Sequence, residues 1–428
     1  MIDTEKDNRK LVERAILVGL QNPDEDLFQA QEHLRELKEL VTNLDIPVIE
    51  QTIIKVKEPK PKFFIGTGKA EEIAELAKDL KADCLIFDGE LSASQQRNWE
   101  KFTKICVIDR QEVILDIFAN RAITREAVLQ VKLARMQYSL PRLTRAWTHL
   151  SRQRGGNKGT RGEGEKQIEA DRRMVKDQIT ALRRELNQVK KHRDTQRKSR
   201  ERREIPLVAI VGYTNAGKSS LLHKITGANI LVEDKLFATL DPTTKKVKLP
   251  GGQQILMSDT VGFVRKLPHS LVEAFKSTLE EAVLADSLLL VLDISNDQLE
   301  QHWETTMEVL KELGADEKNI RIVFNKIDLQ HDPVTYAKIA NLFPNHLRIS
   351  THTGEGIEEL LEALAVDLSH QRQTVKLEIP PTRYDVVALA HQYGEIIDNQ
   401  YDDFGNNLLV VNLDSKNLKK FSDFVVNI

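Results

Sequence analysis

Gly212-Tyr213-Thr214-Asn215-Ala216-Gly217-Lys218-Ser219 follows the apolar run Leu207-Val208-Ala209-Ile210-Val211 and leads into Ser220-Leu221-Leu222. A glycine-bounded loop between a strand and a helix, ending in Lys-Ser, is suited to hold a polyphosphate. Successive backbone N–H groups and the helix N-terminus can point at one anion. Gly212 and Gly217 give the turn backbone freedom that a side chain would block. Lys218 can reach β- and γ-phosphate oxygens, and the Ser219 hydroxyl is placed to ligate Mg²⁺.

A second stretch selects the base. Asn325-Lys326-Ile327-Asp328 ends the apolar strand Ile320 to Phe324. A carboxylate at Asp328 can accept the N1–H and the N2 amino hydrogens of guanine. Adenine offers neither donor, so a buried Asp328 would be left unpaired against it. Between the two stretches lies Asp259-Thr260-Val261-Gly262, after the strand Gln254-Ile255-Leu256-Met257. Asp259 suits a Mg²⁺-linked carboxylate, and the Gly262 N–H suits a γ-phosphate. Ser350-Thr351-His352 follows a short strand and would close over the base through its backbone. Chain order and spacing agree, and residues 205 to about 368 predict a Ras-like GTPase domain.

Around this domain the chain runs to 428 residues with a net charge of -3, enough for two to four domains. The start, Met1 to Asp7, has no basic-then-apolar signal pattern. No apolar run approaches the ~18–20 residues needed to span a bilayer. A cytoplasmic protein is expected, with Cys84 and Cys106 as buried thiols in strand-like runs. The histidines show no metal-binding spacing.

Residues 1 to 123 alternate strands and helices: strands at Ala15–Leu20, Val48–Val56, Cys84–Phe87 and Ile105–Ile108, helices at Leu27–Leu44, Lys69–Leu80 and Ser92–Phe102. This predicts a small α/β domain with a largely parallel sheet. Ser92 and Gln95 have the spacing of a capping box. Gly66-Thr67-Gly68-Lys69 resembles a phosphate loop but lacks the first glycine, and reads as a helix N-terminal turn.

Residues 124–204 predict an antiparallel helical hairpin. Leu129, Leu133, Met136 and Leu140 form a heptad seam on one helix; Val175, Ile179, Leu182, Leu186 and Val189 form one on the other. From Pro141 to Glu204 twenty lysines and arginines face nine aspartates and glutamates, a net of +11, so the rest of the chain is acidic. The connection carries Arg142, Arg145, Trp147, Arg152, Arg154, Lys158 and Arg161 among glycines. Guanidinium groups neutralise phosphates and an indole stacks on a base, so this loop predicts contact with nucleic acid. Residues 369–428 predict a small α+β module, with strands at Val375–Ile379, Ile396–Tyr401 and Leu408–Leu413. They also predict a helix at Tyr384–Gln392 and a last helix from about Ser415.

The chain resembles the HflX family of ribosome-associated GTPases, in the Obg-HflX branch of the P-loop GTPases. The resemblance extends over essentially the whole chain. In the N-terminal half it rests on Phe87-Asp88-Gly89-Glu90-Leu91-Ser92, Val107-Ile108-Asp109-Arg110 and Gln130-Val131-Lys132-Leu133-Ala134. Further along it rests on Glu169-Ala170-Asp171-Arg172-Arg173, Phe237-Ala238-Thr239-Leu240-Asp241 and Asp259-Thr260-Val261-Gly262-Phe263. Gly162-Glu163-Gly164-Glu165 departs from the family's Gly-Pro-Gly-Glu, and Thr351-His352 from its usual Ala with Lys or Leu. The resemblance implies that Phe237 to Asp241 contact GTP, with Thr239 as a second Mg²⁺ ligand; Thr243 and Thr244 are alternatives. It also implies binding of the large ribosomal subunit, rescue or splitting of stalled ribosomes under stress, and a monomer away from the ribosome.

Ras-like enzymes orient the attacking water with a glutamine after the D-x-x-G glycine. Here that position is Phe263, which cannot hydrogen-bond water. The phenyl ring is expected to pack under the switch region, intrinsic hydrolysis to be slow, and a partner to stimulate it. Two other classes stay open: a regulatory GTPase acting on protein partners, and an RNA remodeller using ATP through the N-terminal domain.

Overall fold

The computed structural model describes residues 12–143, 161–201, 205–227, 236–237, 239–265, 279, 281–330, 333–369, 372–402, 404–414, 418 and 420–426. The first sheet comprises β1 (Ala15–Gln21), β2 (Val48–Lys55), β3 (Cys84–Phe87) and β4 (Cys106–Asp109), all parallel in the order β2-β1-β3-β4. β1 is buried on both faces along nearly its whole length, as a continuous apolar run in a parallel sheet requires. Helices α1 (Leu27–Thr42), α2 (Thr67–Asp79) and α3 (Ala93–Thr103) cover it. Both α1 and α3 begin with a capping box, from Asp26 with Gln29 and from Ser92 with Gln95. Gly66 is the N-cap of α2, so Gly66-Thr67-Gly68-Lys69 is a helix start.

A further helix, α4 (Arg110–Arg121), is not among the elements predicted from sequence. It buries Val113, Ile114, Leu115, Ile117 and Phe118, too wide a set for a one-sided stripe. The hairpin pairs α5 (Arg125–Ser139) with the long α6 (Arg161–Glu201), which starts through Gly162-Glu163-Gly164. Of the α6 seam, Ile179 is buried, and Val175, Leu182, Leu186 and Val189 are half-buried. Arg145, Trp147, Arg152, Arg154 and Lys158 lie outside the described residues, as does the side chain of Arg161.

The second sheet joins β5 (Leu207–Gly212), β6 (Thr243–Lys248), β7 (Gln254–Asp259), β8 (Ser287–Asp293), β9 (Asn319–Asn325) and β10 (Leu347–Arg348) in the order β10-β9-β8-β5-β7-β6. Only β6 runs antiparallel to its neighbour. Strand order reverses at β5, so its carboxyl end opens into the crevice where doubly wound sheets bind ligands. α7 (Lys218–Thr226) leaves from there, with α8 (Leu299–Glu312), α9 (Pro333–Leu342) and α10 (Ile357–Ser369) further along the chain.

The third sheet is antiparallel, in the order β12-β13-β11-β14, from β11 (Arg372–Ile379), β12 (Gly394–Tyr401), β13 (Asn407–Asp414) and β14 (Val425–Val426). α11 (Tyr384–Tyr393) packs on it through Val386, Val387 and Ala390. The helix expected from about Ser415 falls mainly on residues outside those described; Val425 and Val426 are strand.

One apolar cluster runs from the first sheet into the second. It joins Leu37, Ile114 and Phe118 to Phe237, Leu240, Val261 and Phe263. Phe118 meets Phe237 edge-on at 4.7 Å. The seam anchors residues just beside the phosphate loop to the N-terminal domain.

Candidate functional site

The phosphate loop leaves β5 at Gly212, whose φ is +146° and where an added Cβ would lie 2.2 Å from the Val291 carbonyl oxygen. Gly217 has φ +94°, and a Cβ there would fall 2.1 Å from Asn325 Nδ2. Only glycine fits either position, for conformation and for space. Asn215 also takes a left-handed backbone, at φ 60°. Thr214 and Lys218 are buried, and Lys218 Nζ donates to the Tyr213 carbonyl at 2.6 Å. Burial holds the Lys218 ammonium down to about 8, with Asp259 pulling the other way.

Three oxygen-bearing side chains converge at the start of α7. Ser219 Oγ lies 2.7 Å from Thr239 Oγ1 and donates to Asp259 Oδ2 at 2.6 Å. Asp259 is fully buried at the end of β7, its carboxyl is pushed up by that burial, and its Oδ1 has no hydrogen-bond partner. Thr243 and Thr244 lie in β6 instead, where Thr244 pairs with Ser258 at 3.1 Å. Thr260 Oγ1 donates to the Ile210 carbonyl at 2.7 Å, which ties the D-x-x-G segment to β5.

Asn325 to Asp328 and Ser350 to His352 meet at the ends of β9 and β10. Asn325 Nδ2 donates to the Ala216 carbonyl at 2.9 Å, and its Oδ1 accepts from Thr351 N at 3.1 Å. One amide thus ties the phosphate loop to the Ser350-Thr351-His352 loop. Asp328 Oδ1 accepts from Ser350 Oγ at 2.6 Å, and that bond chiefly holds the Asp328 carboxyl below its ordinary range. Lys326, left-handed at φ 66°, is paired with Asp293 at 2.7 Å. Ile327 N–H reaches the Ile349 carbonyl at 3.4 Å, and His352 is exposed beside Asp328. A cavity of about 390 Å³ opens between these loops and α1, lined by Thr214, Asn215, Asp293 and Lys326 on one side and Arg35 and Glu36 on the other.

Several residues expected at the nucleotide take other places. Phe237 and Leu240 are buried in the interdomain seam, and Val261 packs into the same core. Asp241 accepts from the Ile123 and Thr124 N–H groups at 3.1 Å each and from the Thr124 hydroxyl, so its carboxylate sits at the start of α5. Of the described part of this stretch only Thr239 reaches Ser219; Ala238 lies outside the described residues. Tyr213 turns its ring away from the loop and stacks on His302, centroids 3.6 Å apart.

Arg142 is a correction to the basic-loop expectation. Its guanidinium donates to Gln96 Oε1 at 2.9 Å, to the Tyr138 carbonyl at 3.1 Å and to the Leu91 carbonyl at 2.6 Å. It lies 3.4 Å from Asp109 and over the Tyr138 ring. These acceptors hold it inside the N-terminal domain, out of reach of an external phosphate. Sequence reasoning also missed a buried ionic group around Glu36, Asp88, Arg110 and Arg265. Nothing in local spacing marks it, because its members come from four separate segments.

A phosphate loop at the strand-order reversal, a buried carboxylate beside two hydroxyls and an Asn-Lys-x-Asp strand end define a P-loop GTPase. GTPase HflX of Akkermansia muciniphila is 50% identical over 417 residues, covering 95% of each chain, and that of Escherichia coli K12 is 42% identical over 372 residues, covering 86% of each. The chain belongs to the GTPase HflX family, and it binds and hydrolyses GTP. Residues 31–119 match the family described as GTP-binding GTPase N-terminal and residues 121–200 the GTP-binding GTPase Middle Region. Residues 207–326 match the family described as 50S ribosome-binding GTPase. Among solved structures, a GTP-binding protein from Sulfolobus solfataricus in complex with GDP is 26% identical, with a TM-score of 0.43 over 83% of this chain and 99% of that one. Among the described residues no helix is long and apolar enough to cross a membrane.

Proposed function

We propose that the protein is a factor of the large ribosomal subunit whose residence there is set by guanine nucleotide, and that it acts on stalled ribosomes under stress. The observation that carries this reading is the match of residues 207–326 to the 50S ribosome-binding GTPases. It is supported by an exposed row of cations on α6, namely Arg172, Arg173, Lys176, Arg183, Arg184 and Lys191. Such a row on a long helix can track an RNA backbone. Residues 1–123, 124–204, 205–368 and 369–428 are taken as N-terminal domain, hairpin, GTPase and C-terminal domain.

In the nucleotide site, the N–H groups of Gly212 to Ser219 and the Lys218 ammonium would bind the phosphates. Asp328 would read guanine, and the Ser350-Thr351-His352 backbone would close over the base. Ser219 and Thr239 fit as Mg²⁺ ligands, because the buried Asp259 beside them keeps Oδ1 without a hydrogen-bond partner. When bound, Mg²⁺ neutralises charge that develops on the β- and γ-phosphate oxygens. Phe263 is buried with its ring in the core, so its side chain supplies no hydrogen bond to an attacking water. Hydrolysis is then slow in the free protein and rises when the ribosome reorders the switch segments.

Cosedimentation with purified large subunits, in the presence of GDP or of the non-hydrolysable analogue GMPPNP, tests the reading. Binding should depend on nucleotide and weaken steeply with salt. Replacing Arg145, Arg152 and Arg154 with Ala should flatten the log–log salt slope by roughly 0.7–0.9 per lost phosphate contact. Binding that ignores both nucleotide and salt would favour a GTPase regulating protein partners.

A further inference from the structure

The segment from Asp259 to Arg265 is folded onto the phosphate loop. Thr214 N donates to the Phe263 carbonyl at 2.8 Å, and Phe263 N donates to the Gly212 carbonyl at 3.1 Å. These bonds pair Tyr213 with Phe263 as an isolated parallel bridge. Gly262 is pressed so close that an added Cβ would lie 2.8 Å from Thr214 Cα and 2.9 Å from Lys218 Nζ. A γ-phosphate held between Thr214, Lys218 and Gly262 needs about 2.7–3.2 Å to a donor on each side. The present gap admits no phosphoryl group, and the Thr214 N–H that would receive one is already given to Phe263. The three atoms nearest an added Gly262 Cβ belong to Thr214 and Lys218 and none to Gly217 or Ser219, where a β-phosphate would be held.

The N-terminal domain holds this closure in place. Arg265 N donates to the Tyr213 hydroxyl at 2.8 Å, and that hydroxyl donates to Glu36 of α1. Arg265 Nη2 donates to Asp88 Oδ2, just after β3, at 2.6 Å, and Arg265 Nε lies 3.8 Å from Glu36. Arg110, at the start of α4, bridges the same two carboxylates at 2.9 and 2.6 Å. Two guanidiniums and two carboxylates thus meet, none of the four side chains more than 15% exposed. Burial pushes the Glu36 carboxyl up, but Arg110, Arg265 and the Tyr213 hydroxyl outweigh it and hold it below its ordinary value. Buried ion clusters of this kind contribute modestly to net stability but are costly to leave half-broken, so they favour one of two discrete arrangements. Arg265 Nη1 and Thr214 Oγ1 are buried without hydrogen-bond partners, so the closed arrangement leaves polar groups unsatisfied.

We propose that Arg265 and Tyr213 are specificity-determining positioning residues: pinned by Glu36, Asp88 and Arg110, they keep Gly262 in the γ-phosphate seat, so the free protein favours GDP until the N-terminal domain releases Arg265. The proposal rests on placing the γ-phosphate between Thr214, Lys218 and Gly262. By linkage, GTP and any partner that draws the N-terminal domain away assist each other.

The test is the ratio of GDP to GMPPNP affinity, measured with Mg²⁺ by displacement of a fluorescent nucleotide from the full chain. Arg265→Ala and Tyr213→Phe should each raise the affinity for GMPPNP relative to GDP by about tenfold, within the usual range of allosteric coupling, and Arg265→Ala should leave GDP affinity within about twofold. Tyr213→Phe removes one hydroxyl and keeps the ring on His302, so it decides the matter if Arg265→Ala lacks a cooperative melt. An unchanged ratio in a folded variant, or equal shifts for both nucleotides, overturns the clasp. Lys218→Ala separates the two layers of the argument. If it abolishes binding of both nucleotides while the ratio stays fixed in the other variants, the clasp alone is wrong. If it binds both normally, the phosphate assignment falls and the clasp falls with it.

Discussion

Replacing Arg142 with Ala should unfold the N-terminal domain more readily without weakening ribosome binding by the folded protein. The Arg142 side chain is only 10% exposed and the Asp109 side chain 0%. Truncation strips donors from the Leu91 and Tyr138 carbonyls and from Gln96, and it removes a cation beside a buried carboxylate. Asp109 keeps the Leu91 N–H, the Glu112 N–H and the Tyr138 hydroxyl, at 3.1, 3.0 and 3.0 Å. The loss therefore falls short of orphaning a bare ion, and about 2–4 kcal/mol is expected. Its pH dependence has a definite sign. Burial pushes the Asp109 carboxyl up to about 6, against the Glu112 N–H and the Arg142 guanidinium. The folded state thus holds the extra proton above the unfolded value of about 4, and the cost of the buried carboxylate is absent below that value and complete above the folded one. Without Arg142 the carboxyl rises further. The destabilisation should be largest at pH 8 and shrink as pH falls toward about 6, where the parent carboxyl also takes up its proton. Urea unfolding followed by the fluorescence of Trp99, fully buried in this domain, reads the effect at each pH. A variant as stable as the parent at pH 8, yet with a flattened salt slope on large subunits, would refute the staple and return Arg142 to the loop proposed to reach RNA.

Lys218 should make nucleotide binding pH-dependent. Its ammonium titrates near 8 in the free protein, and phosphates would draw the proton back, so affinity should fall by up to about tenfold per pH unit above that point and level off below it; a flat profile in titration calorimetry from pH 7 to 9.5 would count against the buried lysine. Asp328→Asn should exchange GTP for xanthine nucleotide, because the amide offers a donor where xanthine carries a carbonyl, and an unchanged GTP preference would remove Asp328 from the base contact. Gly217→Ala forces a side chain into a φ of +94° and to 2.1 Å from Asn325 Nδ2, so nucleotide affinity should drop by at least about tenfold while the rest of the domain melts cooperatively; undiminished GDP binding would show that this corner yields.

The local sequence alone suggests the chemistry proposed for the nucleotide site. A phosphate loop is a contiguous run whose glycines, lysine and serine act within one turn, so Gly212 to Ser219 could be read without knowing what packs around them. Asn325 to Asp328 and Asp259 to Gly262 are legible for the same reason, each being a strand end with its own side chains. Period-two and heptad patterns similarly marked the strands and the two hairpin helices. Tertiary structure decided whatever depends on distant partners. α4 was not predicted because it is buried on nearly every side and shows no stripe. Arg142 reads as a free cation in sequence, but four acceptors from three segments close on it in space. Asp241 reads as part of a nucleotide loop, but the Ile123 and Thr124 N–H groups, just before α5, claim its carboxylate. Nothing in the local sequence joins Glu36, Asp88, Arg110 and Arg265 to one another, although Asp88 and Arg110 stand in stretches that carry the family resemblance. Folding removes water from all of them together, and a buried charge must find its counter-charge wherever the fold brings one.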